Sequence, residues 1–411
     1  MSETGARPFA LPERVDAVIV GAGASGLSLA GHLARSGWRD REVLIVDDGS
    51  RGLDDRAWAY WSDSGVVDAA VSASYDRFWV RTADVAHLVM LNDYRYHVVR
   101  GRDLGRSVDV ALHGAPGLRR VSGHVSQIRD GAHEASVVID GHTVRAAWVF
   151  DSVGLENPRS SGAGAAGQPG MALAFVGRRI ETDVDTFDAG APTLMDFRTH
   201  QGAGLCFVYV LASSPRVALV EHVQFTSGSG NLGEPGEAAL DVYLREVLGV
   251  GGHRVLGTEH GIIPLGTRRP RPPGRRVVPI GAPGGMVKPS TGYGYARIQR
   301  HSAAIVTSLA THGHPFAVRT PPARHRAFDA VLLEAIRREP AHVVHAFERL
   351  FVANPGDCVL AFLDEATTVG QEIGTILTLP PVPFLRALRT VAVQRSSRIG
   401  GPTAGHSREI R

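Results

Sequence analysis

The chain has 411 residues, of which 44% are hydrophobic and 21% are charged, a composition ordinary for a globular protein. Its 44 basic and 41 acidic residues nearly balance, so the charge gives no footprint for a nucleic-acid partner. Two cysteines without a C-x-x-C pattern argue against a disulfide framework and fit a reducing cytoplasm.

The first predicted element is a buried strand that runs into a glycine-rich turn at residues 15–26, VDAVIVGAGASG. Gly21, Gly23 and Gly26 follow the strand in the order G-x-G-x-x-G, and helical spacing begins after them. Such glycines permit a tight turn, close approach of backbone to a pyrophosphate and close packing of helix on strand. A second predicted strand ends at Asp47, at the distance typical of an acid that binds ribose hydroxyls. The motif predicts a dinucleotide site, and its place near the start of a long chain favours FAD.

The next stretch, residues 48–63, is polar and contains tryptophans, and we predict a loop there. Strands are predicted within 74–91 and at 96–100, a helix at 103–112 and hairpin strands at 121–150. Glycine and alanine dominate residues 160–170, which predicts a flexible connection. We therefore assign residues 15–160 to the first part of an FAD-binding domain, preceded by a tail at residues 1–14.

Strand-like sequence dominates the next predicted domain, residues 171–275. Its strands are predicted at 171–182, 192–198, 205–213 and 216–225, and an amphipathic helix at 237–248. An antiparallel sheet of this kind suits a substrate platform.

A short buried strand at 277–280 opens a second glycine-rich segment, so residues 276–310 return to the FAD-binding domain. Helical sequence fills 311–395, and a polar tail at 396–411 is predicted to be disordered. The predicted fold class is α/β, with a Rossmann-type FAD-binding domain interlocked with an antiparallel β-sheet substrate domain and a C-terminal helical region.

An ordered set of motifs resembles the flavoprotein lycopene cyclases, particularly the actinobacterial β-cyclase type. The resemblance spans about residues 15–393, and the Pro-Ser-Thr-Gly-Tyr segment is its most specific part. The motifs are VIVGAGASGLSLA at 18–30, RAWAYW at 56–61, YRYHVVRGRDL at 94–104, MDFR at 195–198, LVEH at 219–222, GGMVKPSTGYGYA at 284–296 and NPGDCVLAFLDE at 354–365. Relatives outside the cyclases often have an aspartate where this chain has Ala282, which favours the cyclase branch over a hydroxylase.

This resemblance implies a cofactor site for FAD, active in its reduced form, with NAD(P)H as reductant. Asp47 would bind the adenosine ribose, and Arg100 would reach the cofactor near its phosphates or ribose. The pyrophosphate would be held by Gly21, Gly23, Ser25 and Gly26. The ribityl chain and flavin ring would pass beside Gly281, Gly284, Gly285, Thr291, Gly292 and Tyr293.

The resemblance also implies ring closure on a polyene end without net redox change. Such chemistry needs a carboxylic acid with a raised pKa in an apolar pocket, and negative charge facing a carbocation. Glu221 is the first candidate, because it follows a strongly apolar strand; a structural salt bridge at a strand end is the alternative. The family has a second acid at the position of His222, which alternation directs to the opposite face.

Asp196 is the second candidate for the acid. It lies two residues from Arg198 on a predicted strand, so the two side chains share a face, and a structural ion pair is an equally open interpretation. Lys288 stands where the family often has histidine, and would stabilise reduced flavin or face solvent. Trp58, Trp61, Tyr293 and Tyr295 would line a cation-stabilising pocket or pack in the core.

The leading hypothesis is an FAD-dependent, non-redox cyclase, an intramolecular lyase or isomerase, acting on a carotenoid or another apolar isoprenoid in a specialised pathway. The alternatives are an FAD-dependent monooxygenase, epoxidase or prenyl reductase on the same fold, and a non-catalytic flavin or lipid carrier.

The histidines show no metal-ligand pattern, so no metal is expected. No signal peptide or membrane-spanning run is evident, so we expect a cytoplasmic protein, peripheral to a membrane at most. Residues 377–393, with interleaved apolar residues and arginines, are predicted to form a buried C-terminal helix rather than one on a bilayer surface. The sequence does not predict the oligomeric state.

Overall fold

The computed structural model describes residues 11–50, 52–53, 56–63, 68–155, 171–202, 204–227, 232–266, 271–319 and 322–399. The predicted connection at 160–170, most of the predicted N-terminal tail and most of the predicted C-terminal tail lie outside these ranges. The described residues form three sheets and a C-terminal group of helices.

The first sheet is built around β1 (Arg14–Val20), which lies parallel between β2 (Val43–Asp47) and β11 (His142–Asp151). Its other strands are β8 (Leu118–Ser122), β9 (Val125–Arg129), β10 (Ala135–Ile139) and β17 (Val277–Pro279). β8 and β17 extend the parallel part, whereas β9 and β10 form an antiparallel extension beside β11.

Both faces of β1 are covered, as its continuous run of apolar residues predicts. Ile19 packs in a core with α1 (Ala24–Ala34), α2 (Gly101–His113) and α4 (Tyr295–His312). Val18 packs on the opposite face in a core with β9 and β10. This sandwich holds the carboxyl ends of β1 and β2 at one edge, where a dinucleotide site is expected.

The second sheet has seven strands, β5 (Arg77–Arg81), β6 (Ala86–Met90), β12 (Met171–Thr182), β13 (Thr193–Asp196), β14 (Cys206–Ser214), β15 (Val217–Ser227) and β16 (His253–Pro264). Their order in the sheet is β16-β12-β15-β14-β13-β5-β6. All neighbours are antiparallel except β13 and β5. β5 and β6 belong to this sheet because β13 pairs with β5. The sequence instead assigned them, within residues 15–160, to the FAD-binding domain.

One face of the second sheet is covered by α3 (Gly233–Val242) and the π-helical turn that continues it, Tyr243–Val247. Leu240, Tyr243 and Leu244 are buried there against residues of β14 and β15. The predicted amphipathic helix therefore packs on the back of the sheet. The other face lines the cavities described below.

The third sheet corrects the second half of the loop predicted at residues 48–63, because residues 57–63 form a strand. β3 (Ala57–Asp63) pairs with β7 (Tyr94–Arg100), which also pairs with β4 (Val71–Tyr75). Trp58 lies opposite Val99, and Tyr60 lies opposite His97. Pairing with β7 satisfies the polar backbone groups of β3, and this long-range partner is not visible in the local sequence.

The C-terminal helices are α5 (Ala323–Arg338), α6 (Pro340–Val352), α7 (Gly356–Leu363), α8 (Val369–Leu377) and α9 (Pro381–Ile399). α9 packs against α5 and buries Ala387. The prediction of a buried helix is wrong for its other face, because Leu385 and Leu388 are at least half exposed, at 55% and 50%. Within the described residues, no helix combines the length and apolarity needed to cross a membrane.

Candidate active site

The turn between β1 and α1 forms a cradle. Gly21 has φ +92°, and a Cβ atom there would lie 2.3 Å from Ser152 Oγ. A Cβ atom at Gly26 would lie 1.9 Å from the Gly21 carbonyl oxygen, so the helix approaches the turn closely. Around the Cβ position of Gly23, by contrast, no described atom lies within 4 Å. This open space at the N-terminus of α1 fits a pyrophosphate, which the exposed N–H groups and helix dipole favour.

Asp47 ends β2 beside this cradle. Its Oδ2 accepts a hydrogen bond from Ala22 N at 2.6 Å, and its Oδ1 accepts one from Gly49 N at 2.8 Å. The carboxylate lines a cavity of about 970 Å³ that runs from the cradle to the second sheet. Arg100, at the end of β7, lines the same cavity, and burial together with Arg179 and Arg102 lowers its pKa. The basic side chains along this wall are Arg56, Arg100, Arg102, Arg106, Arg120 and Arg179. Their charge suits a ligand with phosphate groups.

The second glycine-rich segment follows β17 and closes on the cradle. Gly281 has φ +63°, and a Cβ atom there would lie 2.4 Å from Ser25 Oγ, so this segment touches the start of α1. Gly292 has φ +76° and packs on Leu173, because a Cβ atom at Gly292 would lie 2.7 Å from Leu173 Cδ1. Gly284 and Gly285 lie in the turn between them. Thr291 Oγ1 is buried without a hydrogen-bond partner in the described part of the chain, so it is available to a ligand.

An apolar pocket adjoins the large cavity and shares part of its wall with it, through Ala57, Leu211 and Leu219. Its aliphatic and phenyl side chains include Leu173, Phe175, Val223 and Ile263. Its tryptophan and tyrosine side chains are Trp58, Tyr209, Tyr293 and Tyr295, and Thr291 and Gly292 contribute from the glycine-rich segment. Among the described residues of this wall, Glu221 is the only carboxylic acid.

Glu221 stands in a row of residues that crosses four strands. It pairs with Tyr209 of β14 on one side and with Gly177 of β12 on the other, and Gly177 pairs in turn with Glu259 of β16. A Cβ atom on Gly177 would lie 3.3 Å from Glu221 Cγ and 3.1 Å from Glu259 Cγ, so the two glutamates flank a position without a side chain. Burial, reinforced by Glu259, raises the pKa of Glu221 well above its ordinary value.

Two tyrosines complete the polar part of the pocket. The hydroxyl groups of Tyr209 and Tyr293 lie 3.0 Å apart, and burial raises the pKa of both. Trp61 packs on the Tyr293 ring at a centroid distance of 4.6 Å, and it lines a small neighbouring cavity rather than the pocket itself. Trp58 stacks on Tyr295 at 6.0 Å.

Asp196 and Arg198 lie elsewhere: Asp196 is the last residue of β13, and Arg198 follows it in the chain. Asp196 is 1% exposed and accepts hydrogen bonds from Arg198 Nη2 at 2.7 Å and from the Tyr243 hydroxyl at 2.7 Å. The hydrogen bond to Asp196 raises the pKa of Arg198. Neither residue is among the described residues that line the apolar pocket. This geometry favours the structural ion pair, which the sequence left open beside an acid role for Asp196.

His222 points away from the pocket, as strand alternation predicts. It is 2% exposed, and its cross-strand neighbours are Val176 and Val208. Neither ring nitrogen has a hydrogen-bond partner among the described residues, and burial lowers its pKa to about 4. The imidazole is therefore neutral and lies between the sheet and α3.

Lys288 is buried rather than facing solvent. Its Nζ lies 2.8 Å from Glu365 Oε1 and 3.0 Å from Asp329 Oδ1. Arg297 also reaches Glu365, at 3.3 Å. Lys288 thus ties the glycine-rich segment to the C-terminal helices and does not line the pocket described above.

Fold and cradle together define a flavoprotein with a Rossmann-type FAD-binding domain and an interlocked β-sheet domain, which confirms the predicted fold class. A solved structure with this fold is a geranylgeranyl bacteriochlorophyll reductase-like protein from Thermoplasma acidophilum, with a TM-score of 0.55 and 15% identity over 92% of this chain and 96% of that one. Another is p-nitrophenol 4-monooxygenase from Pseudomonas putida, with a TM-score of 0.52 and 13% identity over 93% of this chain and 98% of that one. The family model described as "Lycopene cyclase protein" matches residues 16–389, so the chain belongs to the lycopene cyclase family.

Curated relatives agree with this family at low identity. Neoxanthin synthase of Solanum tuberosum is 27% identical over 313 residues, which cover 69% of this chain and 58% of the relative. Lycopene beta cyclase of Nicotiana tabacum is 24% identical over 339 residues, which cover 72% of this chain and 60% of the relative. The match therefore spans about three fifths of the length of these relatives.

Proposed function

We propose that this protein is an FAD-dependent cyclase that closes a ring at the end of a carotenoid or a similar polyene, without net oxidation or reduction. The observation that carries this proposal is the position of Glu221. It is a carboxyl group with a raised pKa, in an apolar pocket that adjoins a cavity suited to a dinucleotide. A carboxyl group of this kind keeps its proton near neutral pH and can act as a general acid.

The cofactor of this reaction would be FAD, with its pyrophosphate held at the cradle of Gly21, Gly23 and Gly26 and its adenosine ribose held at Asp47. The arginines of the large cavity balance the phosphate charge. Thr291 and Gly292 belong to the wall of the pocket and would meet the flavin end of the ligand. When bound in its reduced form, after reduction by NAD(P)H, FAD supplies negative charge beside the pocket.

The reaction begins with Glu221. Its O–H bond breaks as a C–H bond forms on the terminal double bond of the polyene, which leaves a tertiary carbocation. The π electrons of an internal double bond then form the ring C–C bond. Loss of a proton from the ring creates a new double bond, and the Glu221 carboxylate is the base available to take up that proton. The product is an isomer of the substrate.

The pocket wall serves this chemistry by excluding water. The side chains of Leu173, Phe175 and Ile263 have no polar group that could bind a water molecule beside the carbocation. A water molecule there would add to the carbocation and give an alcohol instead of a ring. Trp58 and Tyr293 add aromatic rings, whose faces attract a cation. The chain therefore binds an apolar substrate and protects the charged intermediate.

An apolar substrate dissolves in membranes, and we propose that the exposed face of α8 and α9 contacts an anionic bilayer surface. Leu377 is 79% exposed, and Leu385 and Leu388 lie at least half exposed near Arg389. Flotation with anionic liposomes tests this contact. Wild type should float, and the double substitution Leu385→Ser with Leu388→Ser should abolish flotation. A wild-type protein that stays at the bottom of the gradient contradicts the contact.

The direct test of the function is the product formed from lycopene with FAD under reducing conditions. We expect a product of the same mass as lycopene, and NAD(P)H consumption far below one equivalent per turnover. Glu221→Gln should lower turnover by about 10²- to 10⁴-fold, the usual contribution of a general acid. The matched control is Glu246→Gln, at an exposed glutamate. A product that gains an oxygen or two hydrogens would instead support the monooxygenase, epoxidase or reductase alternatives.

A further inference from the structure

The proposed reaction requires one carboxylic acid, Glu221, and the same row of residues contains a second, Glu259. It lies on β16, in register with Gly177, so Gly177 is the position that separates it from Glu221. The Cγ atoms of the two glutamates lie 3.1 and 3.3 Å from the place where a Gly177 Cβ atom would stand. Without a side chain between them, the two carboxyl groups converge over the sheet.

The two glutamates face different spaces. Glu221 lines the apolar pocket, whereas Glu259 lines the large cavity with its arginines. Proton exchange with water can therefore occur on the Glu259 side, without water having to enter the apolar pocket. The pair crosses the boundary between the two spaces.

We propose that Glu259 forms a proton-sharing carboxyl pair with Glu221 and is the positioning residue that keeps Glu221 protonated before each turnover. The proposal rests on the proposed function and deepens it. Two carboxylates this close in a partly desolvated place resist simultaneous ionisation, so the pair holds one proton at neutral pH. Burial and Glu259 both raise the pKa of Glu221, which agrees with this arrangement.

The proton balance of a cycle follows from this pair. The shared proton leaves Glu221 for the substrate, and the pair then carries two negative charges beside the cation that the transfer creates. Attraction between these charges and the cation favours the charged intermediate. The proton lost at the end of ring closure returns to the pair, so no external acid is consumed.

The other charged or titratable groups near the pair lie on β12, β14, β7 and the glycine-rich segment after β17. Arg179 of β12 lines the large cavity beside Glu259. Tyr209 of β14, Tyr293 after β17 and Tyr96 of β7 lie near Glu221, and burial raises the pKa of each. The tyrosines therefore stay neutral in the range where the glutamate pair titrates.

The test is the pH profile of cyclisation in Glu259→Gln, which keeps the size of the side chain and removes its negative charge. Without that charge Glu221 ionises at lower pH, so we expect the alkaline limb of kcat to move down by about 1 pH unit or more. At pH values below this alkaline limb, the turnover of Glu259→Gln should differ much less from that of wild type. The matched control is His260→Gln, at an exposed neighbour on the opposite face of β16, and its limb should not move. A uniform loss of activity with an unmoved limb in Glu259→Gln overturns the proposal.

A second measurement needs no substrate and separates this proposal from the cyclase function. Infrared titration follows the carbonyl stretch of protonated carboxyl groups in the folded protein. In wild type, the band of a protonated carboxyl group should persist above the pH range in which ordinary carboxyl groups lose their proton. Glu221→Gln should lose this band. In Glu259→Gln the band should disappear at lower pH than in wild type. If wild type lacks cyclase activity but shows this pattern, the function fails and the pair stands. If the band titrates identically in wild type and Glu259→Gln, the pair is overturned.

Discussion

The hydroxyl groups of Tyr209 and Tyr293 lie 3.0 Å apart, and this hydrogen bond joins β14 of the second sheet to the glycine-rich segment after β17. Tyr209 is also the cross-strand neighbour of Glu221. The wall that carries the proposed acid and the wall that would face the flavin are therefore fixed against each other at one buried contact. Because burial raises the pKa of both tyrosines, neither ionises near neutral pH.

We expect removal of one hydroxyl group of this pair to be more costly than its share of the hydrogen bond, because the other hydroxyl group is left buried without its partner. Tyr293→Phe leaves the Tyr209 hydroxyl without this partner, which should lower the free energy of unfolding by about 1–3 kcal/mol. Tyr209→Phe should cost a similar amount, and the double variant should cost less than the sum of the two. Urea unfolding of the three variants measures the coupling. Strict additivity contradicts a direct hydrogen bond.

The ion pair of Asp196 is predicted to be structural. Asp196→Asn removes a buried carboxylate that binds Arg198 and Tyr243, so we expect a loss of about 1.5–3 kcal/mol in the free energy of unfolding, the usual contribution of hydrogen bonds to a charged group. The matched control is Asp185→Asn, whose pair with Arg216 is exposed to solvent and should change the free energy of unfolding far less. Product mass should be unchanged in any Asp196→Asn protein that folds. A large catalytic defect with normal stability would restore Asp196 as a candidate acid.

Lys288 is predicted to hold the glycine-rich segment against the C-terminal helices. Although burial opposes it, Lys288 together with Arg297 keeps the pKa of Glu365 below its ordinary value of 4.5. The stabilisation from this carboxylate is therefore present above pH 4.5 and is lost as the pH falls. Lys288→Met should lower the free energy of unfolding by about 3–5 kcal/mol at neutral pH, because it leaves buried carboxylates short of a cation. The difference from wild type should shrink in acid; a constant difference at all pH values speaks against this account.

Glu221 should affect stability with the opposite sign. Its pKa is raised in the folded protein, so the folded state binds its proton more tightly than the unfolded state. The free energy of unfolding therefore falls as the pH rises above the ordinary value of 4.5. Glu221→Gln removes this dependence, and its Tm relative to wild type should rise between pH 5 and pH 8. Thermal unfolding across this range is the measurement, and a Tm difference that does not change with pH refutes a raised pKa.

Much of the fold follows from local patterns in the sequence. The buried run before Gly21, the glycine turn and the position of Asp47 predict β1, α1 and β2, because each depends on neighbours within about 20 residues. β12, β14 and β15 are equally visible, since their apolar residues mark them as strands. The family resemblance is confirmed by the match over residues 16–389.

Long-range partners explain what local patterns missed. β16 carries Gly257, Glu259, Gly261 and Ile263 on its inward face, and this mixture gives no alternation of apolar and polar residues. The local sequence therefore does not indicate a role for Glu259, although pairing with β12 brings it beside Glu221. Lys288 finds its carboxylate partners 41 and 77 residues further along the chain, at Asp329 and Glu365, which no local pattern shows.

The central claim is that Glu221 begins catalysis by transferring a proton to the polyene. Cyclisation of lycopene in heavy water, with reduced FAD, tests it most directly by mass spectrometry of the product. We expect one non-exchangeable deuterium for each ring closed, no other change in mass, and loss of this labelled product in Glu221→Gln. A cyclised product without deuterium, or one made at the wild-type rate by Glu221→Gln, would contradict the account.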